Sequence, residues 1–343
     1  MDEQRRVQSV GYSTLAVSIP RGYAKDMNLK KGDSIIFRED TDGTLRLIPT
    51  TKVKKSSRAT IKAEQVGSDE MLAKLLVGAY MLGYDTIEVV GKGRMERGTA
   101  MLAVKTIKRL MGMEVVDSDG KRIVGQSFTD PTKFPVDSLV KRLQILVSQS
   151  LEGVMESLNP EHTRDLGEVA RVQDEIDELY WLIVRQLLVA LKRRELASEV
   201  GIESPLHASG DRVSAKALDE IGKISSEMAE ELASLRERGT KIDPQLLENV
   251  RKLAAKAREA FTTTMEGLLT PDVKLIGASM LLVDETLRLE KSITHEMLER
   301  GEYGYARVLV SHLGQLARYC SIIIEISLHR LLRKTSRVAA IQQ

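Results

Sequence analysis

The chain has 343 residues, 42% hydrophobic but only 4% aromatic, with 29% charged and one cysteine. That length predicts two to three domains, the aromatic-poor, charge-rich profile favours long helices with aliphatic cores, and the lone cysteine excludes an internal disulfide or a cysteine-based zinc site. The net charge of +2 hides a gradient: residues 1–58 hold 12 Lys and Arg against 7 Asp and Glu, residues 59–135 hold 11 against 10, and residues 136–343 hold 28 against 32.

The basic end comes first in the chain. MDEQRR is followed by no apolar segment, so no signal peptide is expected. No later apolar run approaches the roughly 18 residues that span a bilayer, which predicts a cytoplasmic protein without membrane insertion. Residues 5–49 read as short strands. A basic strand leads into Gly11-Tyr12-Ser13-Thr14, and Leu15, Val17 and Ile19 alternate with Ala16 and Ser18 as in a half-buried strand. A one- to two-turn helix follows Pro20. After Lys31-Gly32-Asp33, a hairpin over Ile35–Ile48 turns at Asp42-Gly43. About 45 residues with open strand edges are too few to bury a core alone, which predicts dimerisation by interleaved hairpins into a small barrel. Excess Lys and Arg here fit a polyanion by counterion release, or a solvated strand surface. Residues 50–58, TTKVKKSSR, read as a basic linker whose Lys52, Lys54, Lys55 and Arg58 would add nonspecific affinity.

Residues 59–135 read as a small α/β unit of order β-α-β-α-β-β. Strands are expected at Ala59–Ala63, Thr86–Val90, Met113–Asp117 and Lys121–Phe128, the last two joined at Asp119-Gly120. Helices are expected at Asp69–Leu82, capped by Ser68 and stopped by Gly83, and at Met95–Leu110. Gly91-Lys92-Gly93-Arg94 and Arg97 lie between a strand and a helix, where backbone amides and Lys92, Arg94 and Arg97 offer an anion site. The stretch lacks both the Rossmann glycine spacing and the P-loop ending, and a surface turn is the simpler reading.

From Val136 the pattern turns helical. Val136, Leu139, Leu143, Leu146, Val147, Leu151, Val154 and Leu158 recur three and four residues apart. Prolines at 160, 205, 244 and 271 and glycines at 239 and 301 divide the rest. Helices are predicted over 137–158, 161–200, 211–238, 244–269, 271–300 and 303–335. These read as two copies of three. EVARVQDEIDELYWLI aligns with ASMLLVDETLRLEKSI, matching Asp174 with Asp284, Glu175 with Glu285 and Ile183 with Ile293. ALDEIGKISSEMAEEL aligns with HLGQLARYCSIIIEIS, matching Leu218 with Leu313 and Ile221 with Leu316. The fold class is therefore mainly α: a small N-terminal β domain (1–50), a basic linker (51–58), the α/β unit (59–135), tandem three-helix bundles (136–240 and 241–335) and a short tail. Cys320 and Trp181 fall on apolar helical faces and read as core residues.

The phrases VQDEIDELYWLI, LDEIGKISSEMAE and LGQLARYCSIIIE resemble the PhoU family of phosphate-uptake regulators. GYSTLAVSIPRGYAKDMNLKKGD and DGTLRLIP resemble the AbrB/SpoVT/MazE swapped-hairpin DNA-binding domain. Together they resemble archaeal PhoU-type regulators. The resemblance implies a homodimeric DNA-binding transcriptional regulator of phosphate uptake and homeostasis, whose helical repeats take a signal or a partner. The DNA-contact candidates are Arg5, Arg6, Arg21, Lys25, Lys30 and Lys31. Lys25 falls where the family carries a basic residue, while Ala24 beside it departs from the usual basic pair. The alternative is a non-DNA adaptor that acts on a phosphate transporter ATPase or a sensor kinase by protein contact.

The resemblance also implies metal-binding acidic pairs four residues apart on the third helix of each repeat. Here those positions read Asp219 with Lys223 and Gly314 with Arg318. A cation at each second position would repel a metal, so no metal and no cofactor are expected, with Asp174, Asp177, Asp219 and Asp284 as weak candidates. No nucleophile elbow, His-Glu-x-x-His or phosphoryl-transfer loop is present, and the five histidines are scattered, so an enzyme is not expected.

Overall fold

The structure is a computed structural model that describes residues 3–39, 43–50, 56–159, 166–239, 242–301 and 304–333. The chain divides into two compact units, residues 1–56 and 57–343. The predicted turn residue Asp42, linker residues Lys52, Lys54 and Lys55, Pro160, His162 and the tail from 336 lie outside the described residues.

The first unit holds two antiparallel hairpins. β1 (Gln8–Val10) pairs with β2 (Thr14–Ala16) across a turn at Gly11, whose φ is +72°. β3 (Ile35–Glu39) pairs with β4 (Leu45–Pro49). Between the hairpins lies α1 (Arg21–Asp26). It ends as a Schellman-type stop: Asn28 takes φ 50° and the Leu29 N–H donates to the Ala24 carbonyl at 2.8 Å. The Lys-Gly-Asp segment has an equally local cause. Asp33 N–H donates to the Lys30 carbonyl at 3.1 Å, Gly32 supplies φ +97°, and the Asp33 carboxylate accepts from Lys30 N–H at 2.7 Å. The hairpins remain two separate two-stranded sheets. The single chain thus closes no barrel among its described residues, because each hairpin lacks a second layer to pack on.

The second unit opens with a two-layer α/β segment. β5 (Arg58–Lys62), β6 (Thr86–Val90), β7 (Met113–Ser118) and β8 (Arg122–Ser127) form a sheet in the order β5-β6-β8-β7. β5 and β6 run parallel, joined by α2 (Asp69–Met81), while α3 (Arg97–Arg109) leads from β6 to β7. The predicted order β-α-β-α-β-β therefore holds. Arg58, expected in the linker, is the first residue of β5 and pairs with Glu88 at 3.5 Å. Ser68 caps α2 by accepting from the Met71 N–H at 3.2 Å. Gly83 ends that helix with φ +82°, and a Cβ there would lie 2.6 Å from Val189 Cγ2, so both conformation and contact require glycine.

Among the described residues, six long helices complete the unit: α4 (Val136–Ser157), α5 (Leu166–Lys192), α6 (Pro205–Glu237), α7 (Pro244–Leu269), α8 (Val273–Glu299) and α9 (Tyr305–Leu331). The first three pack as one bundle, the second three as another, and α6 lies against α9 between them. The aligned pairs Leu218 and Leu313, Ile221 and Leu316, and Ile183 and Ile293 are all buried. Trp181 is half-buried and stacks under the Arg109 guanidinium at 5.4 Å. Cys320 is buried, and burial pushes its thiol up to about 12.

Two helix boundaries differ from the sequence expectation. The predicted 161–200 helix ends at Lys192, and a short 3₁₀ turn over Arg194–Leu196 follows. That turn lets Val200 and Ile202 bury, and the Val200 carbonyl accepts from Val136 N–H at 3.0 Å at the start of α4. The predicted 211–238 helix begins six residues earlier. Pro205 occupies its first position and the Ser204 hydroxyl accepts from His207 N–H at 3.4 Å.

Candidate nucleic-acid interface and the buried charge cluster

The predicted DNA-contact residues Arg5, Arg6, Arg21, Lys25, Lys30 and Lys31 are all exposed. α1 places Arg21 and Lys25 one turn apart on the same face. The glycine turn after it presents Lys30 and Lys31. Arg5 and Arg6 precede β1, and Arg5 pairs with Glu3. The same unit exposes apolar side chains: Leu15 is 74% exposed and Phe37 63%, with Val7, Val10, Val17, Ile36, Leu45 and Leu47 exposed as well. Leu15 and Val17, expected to be half-buried, thus find no cover within their own chain. Their alternation was legible, but the layer that would cover them is not supplied by the following strands.

Lys92, Arg94 and Arg97 lie beyond the end of β6 and are exposed. The loop is held against the β7–β8 turn, where Gly91 N–H donates to the Lys121 carbonyl at 2.9 Å and Met95 N–H to the Gly120 carbonyl at 2.8 Å.

The weak metal candidates divide. Asp284 is exposed on α8, whereas Asp177 and Asp219 face one another electrostatically across α5 and α6. Asp219 is 1% exposed, and its Oδ2 accepts from Lys216 at 2.8 Å and Lys223 at 2.7 Å. Both lysines also reach Glu220. Burial opposes the Lys216 charge, but hydrogen bonds to Asp219 and Glu220 outweigh it and raise its pKa. Burial pushes the Asp177 carboxyl up, a hydrogen bond from Gln173 opposes this, and the Asp219 charge adds to it. Asp174 and Glu178 are tied to Arg109 at 2.7 and 3.0 Å. In the second repeat Arg318 pairs with Glu290 at 3.2 Å, and a Cβ on Gly314 would sit 2.8 Å from both partners. Asp174 and Asp219 thus already hold cations where a divalent ion would have to bind, while Asp177 accepts from Gln173. Titration with zinc or manganese salts is therefore expected to leave the melting temperature unchanged, and a rise of several degrees would contradict this.

Two parts of the chain match known family models. Residues 8–55 match the family model described as antidote-toxin recognition MazE, bacterial antitoxin, and residues 140–232 match the PhoU domain. No curated protein matches the chain. A solved structure, PhoU from Pseudomonas aeruginosa, aligns at 19% identity over 57% of this chain and 94% of that chain, with a TM-score of 0.49. No helix among the described residues is long and apolar enough to cross a membrane. Two parts of the chain are thus similar to known domains: residues 8–55 to the MazE type and residues 140–232 to the PhoU domain.

Proposed function

We propose that this protein is a DNA-binding transcriptional regulator of phosphate uptake and homeostasis. It binds duplex DNA as a homodimer through its N-terminal unit, and the PhoU-like helices receive the signal or partner. One observation carries the reading: the unit that exposes its apolar strands also bears a row of exposed cations on α1 and the turn after it. Pairing two copies covers the first and doubles the second into a two-fold basic surface suited to a palindromic site. The two matches join a domain described by toxin recognition to a PhoU domain, which supports a regulatory role.

A salt-dependent gel shift on genomic fragments tests this. Arg21→Glu with Lys25→Glu is expected to abolish the hairpin unit's DNA contact, lowering affinity at least 100-fold, while the dimer persists. Undiminished binding by that variant would remove the hairpin unit from the DNA contact. It would favour the adaptor reading, in which the unit only dimerises and the helices contact a transporter ATPase or a sensor kinase.

A further inference from the structure

We propose that the solvent face of α3, with the loop before it, is a second and independent contact surface for the phosphate backbone of duplex nucleic acid. Residues 91–109 contain Lys92, Arg94, Arg97, Lys105, Lys108 and Arg109 against a single acid, Glu96. Across residues 59–135 this concentration is masked, because the segment's charges nearly cancel. The fold separates them. Arg109 turns inward to Asp174 and Glu178. The other five cations are exposed, and none pairs with any described residue.

Their arrangement is a ridge. Arg97, Met101, Lys105 and Lys108 fall within an arc of about 80° on the helix, and Arg97 to Lys108 spans about 16 Å along it. One DNA strand presents a phosphate about every 3.4 Å of axis, so that length faces about five of them. The backbone hydrogen bonds from Gly91 to Lys121 and from Met95 to Gly120 add the exposed Lys121 at the ridge's end. Nearby acids reduce the charge without balancing it: Glu96 and Asp69, which accepts from Thr99 at 2.9 Å, flank only the start of α3. The Asp119 carboxylate is turned into its own turn, accepting from the Lys121 and Arg122 N–H groups at 2.9 Å, and Arg122 is taken by Glu88 at 2.6 Å.

The chemistry selects among anionic partners. A protein partner would need a buried aromatic or aliphatic anchor, and the ridge offers only Met101, 63% exposed between cations. A membrane surface would need the helix's apolar face, but Ala103, Thr106 and Ile107 are already buried. Long basic side chains on a rigid helix match a phosphate backbone and read no base sequence.

The test uses the full chain and a mixed-sequence duplex of about 25 base pairs, by fluorescence anisotropy across a salt series. Arg97→Gln, Lys105→Gln and Lys108→Gln are combined, all at exposed positions, with an unchanged melting temperature as the folding control. The triple variant is expected to lose at least 10-fold in affinity and to flatten the plot of log K against log salt by about 2–3 units, near 0.9 per phosphate contact. The same loss is expected in the Arg21→Glu, Lys25→Glu background, where the residual binding is that of α3. Unchanged affinity and slope in both backgrounds overturns the proposal. So does loss of binding to phosphatidylserine vesicles with DNA binding intact. Full binding by the N-terminal double variant with loss in the triple leaves the ridge standing and removes only the hairpin assignment.

Discussion

Arg330→Ala is expected to destabilise the second unit by about 3–5 kcal/mol, the cost of stranding a buried charge. Arg330 lies on α9 with its side chain 13% exposed, and Asp211 lies on α6 at 6%. They meet at 2.5 Å across the interface between the two repeats. Arg330 Nη1 also donates to the Leu268 carbonyl at 3.0 Å, at the C-terminal end of α7. Alanine would leave the Asp211 carboxylate buried among helices and release one of the unpaired carbonyls that end a helix. For a unit of this size the loss corresponds to a fall of about 10 °C in melting temperature. Arg330→Met combined with Asp211→Leu recovers most of it, because both members of the pair are then replaced by apolar side chains. Chemical denaturation of the three variants measures both quantities. A single-variant loss below about 1 kcal/mol would mean that the pair is solvated and contributes as little as a surface bridge.

The same device recurs, and its recurrence explains what the sequence could not disclose. Arg236 and Arg251 donate to the Ser157 and Leu158 carbonyls that end α4, at 2.9 and 3.1 Å. Arg185 donates to the carbonyls of Tyr80 and Tyr84 around the end of α2 at 2.7 and 2.9 Å, and stacks over the Tyr80 ring at 4.8 Å. Each cation lies far along the chain from the carbonyl it satisfies. On a periodic helix it looks like any solvated charge. Signals confined to a few residues were legible: the Ser68 cap, the Asp119-Gly120 turn, the Lys-Gly-Asp turn after α1 and the apolar stripe of α4. They were enough for element order and fold class.

Boundaries failed where packing overrode local chemistry. The predicted helix begins at 211, which leaves residues 206–210, LHASG, outside it. They are helical because Ser204 and Pro205 start α6 there and because α9 approaches closely. A Cβ on Gly210 would stand 3.1 Å from Ile326 Cγ2. The candidate sites divide in the same way. Arg21 and Lys25 were visible as a pair one turn apart in a short helix. Lys105 and Lys108 were not singled out, although their spacing from Arg97 was in the sequence. Only the fold shows that Arg109 turns inward while they have no partner among the described residues.

Leu15→Asp with Phe37→Asp is expected to convert the proposed homodimer to a monomer. In one chain these side chains are 74% and 63% exposed, so neither substitution removes a contact that the chain makes with itself. A cost can arise only in the assembly. There each apolar side chain contributes about 1.5–3 kcal/mol when covered, and an aspartate in its place must also be desolvated. Two sites per chain, counted in both copies, amount to at least about 6 kcal/mol, which weakens association by more than about 10⁴-fold. The melting transition of the second unit should not move, because none of its contacts is touched. Hairpin-mediated DNA binding should fall with the dimer, since a monomer presents one basic surface to a two-fold site and loses the second set of phosphate contacts. Light scattering gives the mass, and anisotropy gives the affinity that remains from the α3 ridge. A variant that stays dimeric with undiminished DNA affinity would place the dimer contact elsewhere and leave the exposed hairpin strands needing another cover.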